Sequence, residues 1–277
     1  MRYRLTFVAI ALTATALSLP DTKASTLSDL TVHEWGTFTS IAGEDGTAVE
    51  WTPLGGPQDL PCFVNRFRFN IKGWMPGKIR METPVLYFYA PRDTTVNVNV
   101  RFRQGVVSEW FPNAAVAPSS VSSTSLRSAA FESSITWHGV KVTPGAAPDF
   151  LTEDRSSHYY TARNTDASPL QSGSEKEKFL FYRGVGGFEP PLTAAVTSDG
   201  KIVVANPGGD AVGDVILFEN RGGAMAYEVR HAAASRVALD PLAHDGEFIA
   251  PLAELEKDPH GARPLSERGQ SHGRDVA

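Results

Sequence analysis

A chain of 277 residues with 42% hydrophobic and 21% charged side chains is long enough for one large domain or two small ones, and ordinary for a folded globular protein. The 24 glycines and 19 prolines argue against long helices, and a formal net charge of −5 argues against nucleic acid as a partner, because phosphate binding needs a basic face. With Cys62 as its one cysteine, the chain forms no intrachain disulfide.

The N-terminus reads as an address. Arg2 and Arg4 precede the apolar run 5–19, Pro20 breaks it, and Thr22-Lys23-Ala24 puts small residues where a signal peptidase cuts. A signal peptide over residues 1–24 is therefore expected, with cleavage after Ala24 and a secreted or periplasmic mature chain; a retained N-terminal anchor is the alternative. The apolar run is shorter than the ~20 residues a spanning helix needs, and no later segment approaches that length, so no transmembrane segment is expected. In an oxidising compartment Cys62, between Pro61 and Phe63, is expected to be a small core residue.

Residues 31–40, TVHEWGTFTS, predict the first strand. His33 and Glu34 are adjacent there and must point to opposite faces, so they cannot jointly grip one ligand. The polar, turn-rich stretch 41–56 predicts an exposed loop, and FVNRFRFNI at 63–71 a second strand with Arg66 and Arg68 on one face. Residues 81–112 are the clearest part. Val96, Val98, Val100 and Phe102 alternate with polar residues, the period of a strand with one buried face. Turns at 91–93 and at Gln104-Gly105 make a meander of three neighbouring antiparallel strands the simplest expectation.

Residues 114–134, rich in Ala and Ser, read as a surface loop or mobile insertion, and 135–142 as a strand anchored by Trp137. The polar stretch 143–178 exceeds the ~12–15 residues of an ordinary connector and carries SSHYYTARNTDASPL, whose aromatics argue for order. FLFY at 179–182 predicts a strand, followed by a bend at RGVGGFEPP. Hairpins are expected around Asp199-Gly200, with a type I′ turn, and around 220–223. The tail from Glu254 lacks aromatic residues and is expected to be disordered.

About ten short strands predict an all-β fold, an antiparallel β-sandwich over residues 25–253, with a possible division within 143–178 and a disordered tail over 254–277. VHEWGTFTS at 32–40, METPVLYFY at 81–89, SHYYTARNTDA at 157–167 and KFLFYRGVGGF at 178–188 together resemble a family of secreted bacterial proteins to which no activity is attached. The resemblance spans most of 31–230 and implies that the four motifs belong together. Its members continue into a further C-terminal segment where this chain has its polar tail.

No motif names a chemistry. The glycines of RGVGGFEP lack the Lys-Ser/Thr of a phosphate loop, G-x-S-x-G and H-E-x-x-H are absent, and one cysteine with scattered histidines gives no metal set, so no cofactor and no metal are expected. Glu34, Glu82, Glu109, Asp154 and Glu189 supply carboxylates for a glycosidase, whose separation the sequence does not fix. The expected function is a module binding a ligand, a glycan or a cell-envelope component, with Trp35, Trp51, Trp74 and Trp110 as flat platforms; the alternative is a hydrolase of such material. The candidate site is a pocket formed by His158, Tyr159, Tyr160 and Arg163 of the HYYTAR segment together with Arg183, whose guanidinium would hold an anionic or carbonyl group. The competing structural expectation is that the tyrosines pin the loop while Arg183 pairs with Glu175 or Glu189.

Overall fold

The computed structural model describes residues 29–54, 59–67, 76–82, 84–122, 124–190, 192–206, 214–222, 224–231, 236–240 and 242. The expected leader over 1–24 and the expected tail over 254–277 lie outside these residues, as do Arg68 and Trp74. The described chain is all-β, with antiparallel pairing in each of its sheets and short 3-10 turns besides. It forms two compact units. One runs over Thr52–Phe188 together with the described residues up to Thr39; the other combines Ser40–Trp51 with the described residues from Glu189 onward. The polar stretch 143–178 lies inside the first.

The larger unit is built from β1 (Thr31–Trp35), β2 (Phe38–Ser40), β3 (Asn65–Arg66), β4 (Ile79–Met81), β5 (Val85–Tyr89), β6 (Thr94–Arg103), β7 (Gly105–Phe111), β8 (Ala115–Ala117), β9 (Glu132–Val142), β10 (Leu170–Ser172), β11 (Glu175–Glu177) and β12 (Leu180–Gly186). A seven-stranded sheet runs β1-β5-β12-β4-β2, with β7 also on β12 and β3 on β7; a five-stranded sheet runs β11-β10-β9-β6, with β8 on β9. Pieces of two or three residues, such as β3 and β10, are too short to show a period, which is why the sequence predicts fewer strands than form.

One face of each sheet meets in a shared core. Met81, Leu86, Phe88, Val107, Trp110, Leu180 and Tyr182 come from the first sheet, and Val98, Val100, Phe102, Ile135, Trp137, Val140, Val142 and Leu170 from the second. That is a sandwich. Trp137 is wholly buried and donates its indole N–H to the Pro112 carbonyl at 2.9 Å. The alternation in β6 behaves as expected: Val98, Val100 and Phe102 point inward, while on the outer face the Asn99 amide donates across to Thr136 Oγ1 at 2.6 Å.

The expected meander does not form. β6 pairs with β9, while β5 and β7 both pair with β12 in the other sheet. The turns at 91–93 and Gln104-Gly105 carry the chain from sheet to sheet. Alternation reports which face of a strand is buried and a turn reports where it ends; neither names the partner. Gln104 sits in the left-handed region at φ 50° to make the second crossing.

Three further expectations are corrected. The stretch 114–134 is no free insertion, because Val121 and Leu126 close a small second core with Val106 and Val185. The glycine motif is not a bend at Arg183, since β12 continues to Gly186. Its glycines serve close approach: a Cβ on Gly184 would stand 2.7 Å from the Val106 carbonyl oxygen, and one on Gly187 2.2 Å from that of Leu126. Cys62 is exposed, its backbone N–H donating to Glu153 Oε1 at 2.6 Å.

The smaller unit contains β13 (Thr193–Val196), β14 (Ile202–Ala205), β15 (Asp214–Arg221), β16 (Ala224–His231) and β17 (Arg236–Leu239). β13-β14-β17 form one sheet and β15-β16 a hairpin. Both expected hairpins are present. At Asp199-Gly200 only Gly200 has positive φ, at 82°, so the turn is not type I′; the Thr197 and Gly200 N–H groups donate to the Lys201 and Thr197 carbonyls instead.

Candidate functional site

The HYYTAR segment is a 3-10 helix, His158–Arg163, capped by Ser157, whose side chain accepts from the Tyr159 N–H at 3.1 Å. It packs on the face of the seven-stranded sheet that points away from the sandwich core. Tyr159 lies 5.4 Å from Phe181 and 5.2 Å from Phe179 between ring centroids, and Tyr87 donates its hydroxyl to the Ala162 carbonyl at 2.8 Å.

The centre of this packing is Glu177, which has no exposed surface. Arg163 Nε donates to its Oε1 at 2.9 Å, Arg163 Nη2 to its Oε2 at 2.7 Å, and the Tyr159 hydroxyl to Oε2 at 3.0 Å. The Lys178 backbone N–H adds a bond to Oε1 at 2.8 Å. A carboxylate so surrounded has the partners that burial of a charge requires. Arg163 also donates to the Leu151 carbonyl and lies over the rings of Phe150 and Tyr160, at 5.2 and 5.0 Å. The Tyr160 hydroxyl accepts from the Glu153 N–H at 3.0 Å. Residues 150–163 are thereby clamped to the end of β11.

Burial, reinforced by the Glu177 charge, holds the Tyr159 phenol well above the ordinary tyrosine pKa of 10.0. Tyr87 is pushed up to about 12, first by burial and then by the charges of Tyr89 and Glu177. A folded-state pKa above the unfolded one means that the folded chain keeps a proton the unfolded chain releases. This contribution to stability is complete below pH 10 and declines as pH rises through about 12. Thermal unfolding midpoints are expected to fall over that range, with phenolate absorbance of these tyrosines appearing together with unfolding; phenolate signal from a still-folded protein would contradict this.

The five expected site residues do not converge on one cavity. Tyr159 and Arg163 meet at Glu177, Tyr160 holds Glu153, and His158 is exposed. Arg183 stands in a separate arrangement. Its Nε donates to the Glu82 carbonyl, its Nη2 lies 3.4 Å from Asp59 Oδ1, and its guanidinium lies over Phe181 at 5.8 Å. Across the ladder from it is Glu109, buried and accepting from the Ser108 hydroxyl. His33 and Glu34 do point to opposite faces: the His33 ring lies 5.0 Å from Tyr89, whereas Glu34 accepts from the Tyr182 hydroxyl. Of the tryptophans, Trp110 belongs to the core, whereas Trp35 is exposed.

A cleft of about 310 Å³ lies beside the same long segment, lined among others by Tyr89, Gly145, Asp166, Ser168, Pro169 and Lys178. Its walls are fixed by hydrogen bonds. The Thr143 N–H donates to the Pro169 carbonyl at 3.0 Å and the Ser168 N–H to that of Phe88 at 2.8 Å, while Gly145, at φ 73°, turns the chain at the rim. Lys178 Nζ donates to the Thr165 and Ala167 carbonyls, at 3.2 and 2.8 Å. Tyr89 closes the β5 end. Its phenol oxygen is buried beneath the wall, beside Thr165 and Asp166. Burial raises its pKa; hydrogen bonding with the Thr165 hydroxyl opposes this, and the charge of the Asp166 carboxylate and hydrogen bonding to it add to the rise.

The sequence placed none of these residues in a site. Tyr89 reads as the end of a strand, and Asp166 and Ser168 as part of the polar stretch; the available signal was the turn chemistry of Pro144-Gly145 facing Asp166-Ala-Ser-Pro within one overlong connector. Among the described residues no three His, Cys, Asp or Glu side chains group to hold a metal ion, and no helix is long and apolar enough to cross a membrane. Comparison of the chain with family models, with curated proteins and with solved structures gives no match in any of the three.

Proposed function

We propose that this protein is an exported β-sandwich binding module whose ligand occupies the cleft at Tyr89. The observation that carries the reading is the cleft itself, whose walls are fixed by the Thr143–Pro169 and Ser168–Phe88 hydrogen bonds and whose lining carries Asp166 and Lys178. Pockets of this kind pair small apolar walls with a few fixed polar groups. Export is supported by the leader pattern of residues 1–24. Binding is favoured over hydrolysis of glycan or envelope material because the cleft is lined by a single carboxylate, Asp166, where hydrolysis of a glycosidic bond takes two.

The test uses the secreted protein, expected to begin at Ser25, and screens small polar compounds and glycans by thermal shift. A compound binding the folded state raises the unfolding temperature with its concentration. Ala146→Trp, which fills the exposed rim, is expected to abolish the shift while leaving the unfolding temperature of the free protein unchanged. No stabilising compound, a shift indifferent to Ala146→Trp, or turnover of the compounds would overturn the proposal.

A further inference from the structure

We infer that the N-terminal edge of the seven-stranded sheet, residues 31–40, is the surface on which a second copy of this chain docks, strand to strand. β7 takes one side of β12, so β5 and β4 share the other, and β1 and β2 flank them in turn as one edge. Gly36 joins the two strands past Pro84, whose Cα would stand 3.0 Å from a Cβ there. Among the described residues no strand pairs on the outer side of this edge. Residues 34–40 are exposed without a break, Trp35 at 51% and Phe38 at 61%. The strip ends at Ser40, because the next carbonyl, that of Ile41, already accepts from the Val49 N–H at 2.8 Å.

A free edge offers a row of backbone donors and acceptors, and soluble proteins guard such edges with charge, proline, bulges or brevity. The other edges of the sandwich are guarded in this way. β6 carries Arg101 and Arg103 and an irregularity between Val96 and Val98, β11 is Glu175-Lys176-Glu177, and β3 and β8 are two and three residues long. Residues 31–40 hold no Lys, Arg or Pro. Their one carboxylate, Glu34, accepts from the Tyr182 hydroxyl, and two aromatic rings stand in solvent where the other edges carry charge.

The occupant this edge fits is its own copy. Antiparallel pairing about a twofold axis sets an edge against itself, so the same residues meet each requirement: an extended, uncharged strip with apolar rings on it. Elsewhere copies repel, since each chain carries a formal net charge of −5, whereas residues 35–40 hold no ionisable side chain. With the axis at Thr37, Glu34 lies opposite the second copy's Ser40. The two Glu34 carboxylates are then about 20 Å apart at ~3.3 Å per residue, more than twice the ~8 Å beyond which salt screens charges. The four rings, each about half exposed, bury about 400 Å² of the ~1,200 Å² at which specific interfaces begin, so the dimer is weak.

The experiment follows the mature full chain by sedimentation velocity from about 5 to about 500 μM, with a reductant so that the exposed Cys62 thiols do not couple copies. A dimer with a dissociation constant of about 10–100 μM is expected, as suits an interface of small area. Trp35→Lys and Phe38→Lys, each at an exposed position, should leave the unfolding temperature unchanged and weaken the dimer at least about tenfold, since a charge on an edge blocks pairing. Leu151→Lys, also exposed but away from the edge, should leave the dimer as it is. Amide exchange at Trp35 and Phe38 should slow as the dimer forms. A chain monomeric at about 500 μM, or a dimer indifferent to both edge lysines, would overturn the inference. Slow exchange at those amides in a monomer would give the edge to another segment of this chain and overturn it as well.

Discussion

Replacing Glu177 with glutamine is expected to lower the stability of the larger unit by about 3–5 kcal/mol, the usual cost of breaking a buried ion pair from one side. The glutamine keeps the shape but removes the charge that Arg163 Nε and Nη2 share, and the Arg163 side chain, 12% exposed, is left buried without an anion. In a unit of this size each kcal/mol moves the unfolding temperature by roughly 2–4 °C, so a fall of about 10 °C is expected in a circular dichroism melt. Replacing both partners, Glu177→Leu with Arg163→Met, should cost less than the single change, because no uncompensated charge remains. A single variant within about 1 kcal/mol of the parent would contradict the clamp as described.

Trp137→Ala should be as severe. The side chain has no exposed surface and stands where both sheets meet, so its removal leaves a cavity that costs about 3–5 kcal/mol. It also leaves the Pro112 carbonyl without the indole donor. Urea unfolding should show a lower midpoint at an unchanged slope, the sign of lost stability without a changed unfolded state. Trp137→Phe fills most of the volume but not the hydrogen bond, and an intermediate loss is expected. Equal effects of the two substitutions would remove the cavity argument.

The class of the fold was legible because it is written locally. The alternation over Val96–Phe102 and the two hairpins with Gly200 and Gly222 each declare themselves within a few residues. Pairing was not legible, because β5 and β7 find their common partner in β12, far along the chain, and no local pattern encodes that meeting. The site was half legible for a related reason. Length and aromatic content picked out the 143–178 stretch as more than a connector, and Tyr159, Arg163 and Tyr160 are indeed held in an ordered array. That array turns on Glu177, an acidic residue in a run of alternating charge that reads as solvated surface. The cleft joins the same stretch to Tyr89, a meeting of distant segments that no local pattern encodes.

The place of β12 at the centre of the seven-stranded sheet also sets the order in which the chain can become itself. β5 and β7 leave the ribosome long before the strand they both require, and until it arrives their buried faces lack the partner that the sheet gives them. Pairings between distant segments must form before they reward the loss of chain entropy, which makes such folds slow. Commitment to the native sandwich therefore comes only with residues 180–186.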